Sequence, residues 1–165
     1  MQFTDKVAIV TGAGGGIGQS YAEALARADA AVVVADINLE GADRVVAGIT
    51  AEGGRAIAVA VDVSDPDSAA AMADRAAAEF GGIDYLINNA AIFGGMKLDM
   101  LLTVDWNYYK KFMSVNLDGA LICTRAVYKK MAERGGKYNG NNADGQFARA
   151  ACEDGDSGQE EVCSK

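Results

Sequence analysis

Five glycines fall within seven residues, at Gly12, Gly14, Gly15, Gly16 and Gly18, directly after the apolar, β-branched run Val7-Ala8-Ile9-Val10. A strand that opens into such a turn and then into a helix suits one kind of chemistry. Without Cβ atoms the backbone can approach a pyrophosphate closely, and the unpaired N–H groups of the first helical turn can hold it. Asp36 closes the next apolar run, 18 residues beyond Gly18. That is where an acceptor for adenosine ribose hydroxyls belongs. The order strand, glycine turn, helix, strand, acid therefore reads as a dinucleotide-holding surface.

The elements that must position these residues follow from periodicity. Lys6–Val10, Ala31–Ala35, Ala56–Val61 and Ile83–Asn88 are continuous apolar runs, the pattern of strands buried on both faces. Between them lie helical stretches. Gly16 to about Ala28 carries Ile17, Tyr21, Ala22, Leu25 and Ala28 at helical spacing, and Leu39 to about Glu52 stops at Gly53-Gly54. The third begins after Ser64 or Asp65, with Pro66 in its first turn, and ends at Gly81-Gly82. Such alternation implies an α/β fold, a doubly wound parallel sheet in the order 3-2-1-4. A long helix from about Asp105 to Arg134 is expected next, apolar on two sides and so buried on both, by the sheet and a neighbouring helix or by a second subunit. From Gly135 to Lys165 the composition turns polar and loses its period. The expected division is a half-domain over 1–134 and a disordered or non-homologous tail over 135–165.

Composition excludes several classes. The 165-residue chain has a net charge of −8 and no histidine, so no basic patch speaks for nucleic acid or anionic membrane. Cys123, Cys152 and Cys163 are odd in number and lack a C-x-x-C spacing, which points to reduced thiols and no zinc site. Neither a signal-like N-terminus nor a membrane-length apolar run is present, so a soluble, cytoplasmic protein is expected.

Residues 3 to about 134 resemble the N-terminal half of a short-chain dehydrogenase/reductase. The likeness rests on Thr11-Gly12-x-x-x-Gly16-x-Gly18, Asp62-Val63, Asn88-Asn89-Ala90-Ala91 and Asn116, four spaced matches in order. It implies a Rossmann-like fold, a homo-oligomer and hydride transfer between a nicotinamide cofactor and a small alcohol or ketone. By this likeness the cofactor is held by Gly12, Gly14, Gly16, Ile17, Gly18, Asp36, Ile37, Asp62, Val63, Asn89, Ala90 and Ala91. Asp62 would accept from the adenine amino group, Val63 would contact the ring, and small Ala90 would leave room. A carboxylate at Asp36 would repel a 2′-phosphate, and Ala13, Ile37 and Asn38 offer no positive charge, so NAD is expected over NADP. Asn116 would interrupt its helix and hold, through its carbonyl, a water of a proton relay.

The family's chemistry also needs a serine and a Tyr-x-x-x-Lys pair, placed on one helical face by their spacing. Four residues beyond Tyr21, Tyr85, Tyr108, Tyr109, Tyr128 and Tyr138 stand Leu25, Asn89, Phe112, Met113, Ala132 and Asn142. None is lysine. Three readings stay open: an NAD-dependent oxidoreductase by family, a non-catalytic NAD-binding module, and a truncated or mis-spliced product without independent function. Truncation would leave the fourth strand as an exposed apolar edge.

Overall fold

The computed structural model describes residues 3–93, 102–134, 137–138 and 147–151. Four parallel strands form first: β1 (Val7–Thr11), β2 (Ala31–Asp36), β3 (Arg55–Ala60) and β4 (Tyr85–Ile87). They pair in the order β3-β2-β1-β4, with Val10 beside both Val34 and Ile87. β1 and all but the last residue of β2 are buried on both faces, which is why their sequences run apolar without alternation. Helices α1 (Gly16–Arg27), α2 (Leu39–Ala51) and α3 (Pro66–Phe80) supply the crossovers. Two apolar layers result. One joins Ile9, Val33, Met72, Ile83 and Leu86 to the later helices. The other joins Val10, Val32, Leu25, Val45 and Ile49 beneath α1 and α2.

The helix ends follow local chemistry. Asp65 caps α3 by accepting from Asp67 N at 3.0 Å, with Pro66 at its first position, and Gly81 ends it in the left-handed region at φ 78°. Asn38, not Asp36, caps α2, its Oδ1 accepting from Gly41 N at 3.2 Å.

The helix expected from Asp105 to Arg134 is three pieces, α4 (Trp106–Met113), a π-helical turn (Ser114–Asp118) and α5 (Gly119–Glu133), interrupted at Asn116 as the family resemblance implies. The wider turn is centred on Asn116, whose side chain bonds elsewhere. The helix is not buried on both sides. Cys123, Val127 and Met131 are buried against α3 and the sheet, whereas Leu117, Leu121 and Tyr128 are at least half exposed. Burial pushes the Cys123 thiol up to about 12, so it stays protonated and packs as a small apolar group.

Two further strands lie in the segment expected to be disordered, β5 (Lys137–Tyr138) and β6 (Phe147–Ala151). β6 runs antiparallel to β4, with Leu86 opposite Ala148, and the sheet reads β3-β2-β1-β4-β6-β5. The edge of β4 expected to stand open is thus paired, which satisfies its backbone groups. The rest of 135–165, including Cys152 and Cys163, lies outside the described residues. Among the described residues no helix is long and apolar enough to cross a membrane.

At the amino ends of the strands a buried acid ties the layers together. Asp84 is 5 % exposed. Its carboxylate accepts from Val7 N at 2.9 Å and Lys6 Nζ at 3.1 Å, and Arg134 Nε lies 3.2 Å away. Arg134 also donates to Phe80 O and Asp5 O at 3.1 and 2.7 Å, joining the end of α5 to the sheet. Removing Asp84 takes the acceptor from buried Val7 N and the carboxylate from the partly buried Arg134 guanidinium, while half-exposed Lys6 turns to water. Asp84→Ala should cost about 3 kcal/mol in urea unfolding and Asp84→Asn clearly less, since the amide still accepts from Val7. A loss under about 0.5 kcal/mol for the alanine variant would show the network to be ornamental.

Candidate functional site

The carboxyl ends of the four parallel strands converge on one edge of the sheet, and the sequence-chosen residues lie there. The point where strand order reverses, between β1 and β4, is the place at which open α/β sheets take ligands. Its centre is a hydrogen-bonded clasp. Thr11, buried at the end of β1, accepts through Oγ1 from Asn89 N and Ala90 N, both at 3.1 Å, and donates to Ile87 O at 3.3 Å. Asn89 returns the contact, its Nδ2 donating to Thr11 O at 2.9 Å and Gly12 O at 3.1 Å.

The clasp and Asp36 together explain three of the five glycines. A Cβ on Gly12, where φ is +65°, would lie 2.7 Å from Ala90 Cα, and one on Gly18 would strike Gly12 O. One on Gly14 would lie 3.0 Å from the Asp36 carboxylate. These three positions are small because the protein itself fills the space. Gly15 and Gly16 differ: a Cβ at either would meet nothing within 4 Å. That open stretch leads into the first turn of α1, whose N–H groups have no partner within the helix. Residues fit for an anion thus stand beside residues fit for packing.

Asp36 is held by the turn it serves. Gly14 N donates to its Oδ2 and Asn38 N to its Oδ1, both at 2.8 Å. Each oxygen keeps a lone pair for another donor. Ile17 and Ile37, 70 % and 75 % exposed, flank the turn and Asp36 in sequence as uncovered apolar side chains.

Asp62 lies just past β3 and is exposed. Its Oδ1 accepts from Ser64 Oγ at 2.6 Å and Ser64 N at 2.9 Å. These bonds, the side-chain one first, hold its carboxyl below the ordinary range, with slight burial opposing and Lys111 assisting. Val63 is placed differently from its expected ring contact. Its side chain is buried in the core and touches the position of Gly119, where a Cβ would lie 2.8 Å from Val63 Cγ2. Only its backbone is left for a ligand.

Asn88, Asn89, Ala90 and Ala91 run outward from β4. Asn88 Nδ2 donates to Thr124 Oγ1 at 3.2 Å and to Ala120 O at 3.4 Å, so it fastens the sheet to α5. Its Oδ1 is a buried acceptor without a partner among the described residues. Ala90 packs against the core and Ala91 is exposed. Asn116 sits in the π turn and closes a two-bond ring with the chain after β4: Ile92 N donates to its Oδ1 at 2.8 Å and its Nδ2 to Ile92 O at 3.2 Å. Its amide is therefore consumed in pinning the β4 exit to the helix break. Thr11 and Gly15 belong to the sequence motif but are not among the residues expected to hold the cofactor. A threonine ending a buried strand, and a glycine that no packing requires, were the signals available.

A model of the short chain dehydrogenase family matches residues 6–138. The chain belongs to that family. An uncharacterized oxidoreductase of Mycobacterium tuberculosis is 72% identical over 134 residues, which are 81% of this chain and 54% of the relative. Cis-4-hydroxycyclohexanecarboxylate dehydrogenase of Sinomonas cyclohexanicum is 41% identical over 133 residues, 81% of this chain and 52% of that protein. Among solved structures, a hydroxysteroid dehydrogenase from Escherichia coli superposes with a TM-score of 0.73 at 34% identity, over 81% of this chain and 55% of that one. The chain thus spans about half the length of the curated relatives it matches. As a short-chain dehydrogenase fold, the glycine turn separates two duties that single substitutions can test. Gly12→Ala should destabilise the fold by at least about 2 kcal/mol in chemical denaturation, through strain at positive φ and the clash with Ala90. Gly15→Ala should leave the unfolding midpoint within about 0.5 kcal/mol of the parent, because its backbone is extended and its surroundings open. Equal losses for the two would refute this division.

Proposed function

We propose that this chain holds NAD at the carboxyl ends of its strands and is the cofactor-binding portion of an oxidoreductase acting on a small alcohol or ketone. The single observation that carries the reading is the paired state of Asp36, a carboxylate fixed by Gly14 N and Asn38 N at the lip of the open Gly15-Gly16 stretch. Asp36 would accept from the adenosine ribose hydroxyls, and its charge disfavours a phosphate there. The backbone from Gly14 to Gly18 would face the pyrophosphate, with Ile17 and Ile37 supplying apolar surface. Asp62 and the Val63 backbone would take the adenine, and Asn89, Ala90 and Ala91 would form the wall toward the nicotinamide half. When bound, the cofactor supplies the hydride carrier. Family membership supports the reaction class, and the names of the similar dehydrogenases support an alcohol or ketone substrate.

The dinucleotide-holding unit is assigned to residues 1–134, with β6 covering the edge of β4 and contributing no residue to the cofactor site. Within the 165 residues no tyrosine stands four positions before a lysine, so this chain by itself is proposed to bind without turnover. Asn116 is then a positioning residue, its amide bound to Ile92 and its relay role left to its backbone carbonyl. A soluble cytoplasmic setting belongs to the same proposal, as does self-association, impaired or non-native in this chain, through the exposed side of the π turn and α5. Leu117 and Leu121 on that side are about 60 % exposed.

Titration calorimetry tests the assignment. NAD should bind at least about tenfold more tightly than NADP, and Asp36→Ala should abolish the preference. Equal affinity of the parent for both would overturn the role of Asp36, and no heat with either at millimolar concentration would overturn the binding reading. Carbonyl reduction above background by the 165-residue chain would refute its catalytic silence.

A further inference from the structure

We infer that Ser64 is a positioning residue that sets the Asp62 carboxylate to accept from an adenine amino group, and so makes the site selective for adenine over bases with a carbonyl there. The inference rests on the dinucleotide reading above and adds a residue and a selectivity to it.

Asp62 is exposed, yet it is held at both ends. Its backbone N donates to Ser68 Oγ in the first turns of α3 at 3.0 Å. Its Oδ1 takes the Ser64 hydroxyl at 2.6 Å and the Ser64 amide at 2.9 Å. The intervening Val63 is buried against Gly119, so the three residues cannot shift as a unit without disturbing the core. Helix initiation does not account for the arrangement, because Asp65 already caps α3 and Pro66 occupies its first position.

The division of labour within the carboxylate is the informative part. Two donors converge on Oδ1, while among the described residues nothing donates to Oδ2. The bonds from Ser64 are also the leading cause of the lowered carboxyl pKa, so the group is ionised and acceptor-only near neutrality. A fixed carboxylate with one open oxygen welcomes an exocyclic amino donor. It repels an exocyclic carbonyl, which presents lone pairs to lone pairs. Hypoxanthine differs from adenine at that point. A freely rotating carboxylate would turn away from such a carbonyl and lose much of the discrimination.

The test compares NAD with its hypoxanthine analogue by calorimetry on the full chain, for the parent, Ser64→Ala and Ser64→Thr. The parent should prefer NAD by at least about tenfold. Ser64→Ala should reduce that ratio to about threefold or less, mainly by weakening NAD, and Ser64→Thr, which keeps the hydroxyl, should restore it. Equal losses for both dinucleotides in Ser64→Ala would mark a structural role only and overturn the inference, as would an unchanged ratio. A parent that binds both equally overturns the Asp62 contact while leaving NAD binding intact. A parent that binds neither removes the underlying reading and this inference with it.

Discussion

The clasp between Thr11 and Asn89 governs the rest of the molecule. It uses a buried hydroxyl and a side-chain amide to join β1 and β4 just past their last paired residues, Val10 and Ile87. Each bond contributes only about 1 kcal/mol net, but leaving any of these buried groups unpaired costs about 1–3 kcal/mol. The set is therefore close to all-or-none. Its geometry dictates that Gly12 and Gly18 carry no Cβ, since Ala90, Asn89 and Gly12 O already fill that space. It also aims Gly14 N at Asp36, so the turn and the acid on the next strand form one rigid object.

A second anchor acts from the other end of the sheet. Asp84, Lys6 and Arg134 tie the start of β1 to the end of α5, 50 residues beyond Asp84. With both ends fixed, α5 is held across the sheet, and Asn88 adds a bond near its middle through Thr124. The π turn belongs to this frame. A straight helix from Trp106 to Glu133 could not both keep Cys123, Val127 and Met131 in the core and present Asn116 to Ile92. One widened turn admits both, and such widened turns recur at functional positions.

Much of this was legible in the sequence because it is local. Buried parallel strands read as apolar runs, Pro66 and Gly81 mark the ends of α3, and glycine spacing marks a tight turn between strand and helix. The pairings were not legible. Asp36, at a strand's end ahead of α2, also has the sequence setting of a helix cap; its contact with Gly14, 22 residues away, together with Asn38 taking the cap, sets that aside. The family resemblance implies a ring contact for Val63, whereas its side chain is packed in the core against Gly119. Asp84 looks like any strand-edge acid until Lys6 and Arg134, distant in sequence, close on it. The partner of β4 was hidden in a polar segment with no period to announce β6.

The sequence by itself determined the order of strands and helices, the position of the glycine turn and the acidic residues that follow β2 and β3. Those depend on interactions within a few residues and on the period of burial. Tertiary structure decided which glycines serve packing and which face open space, which acid is fixed by which amide, and which partner Asn116 takes at the helix break. Those outcomes depend on atoms 20 to 130 residues apart meeting within 3 Å or so, a matter of closure that no local pattern encodes.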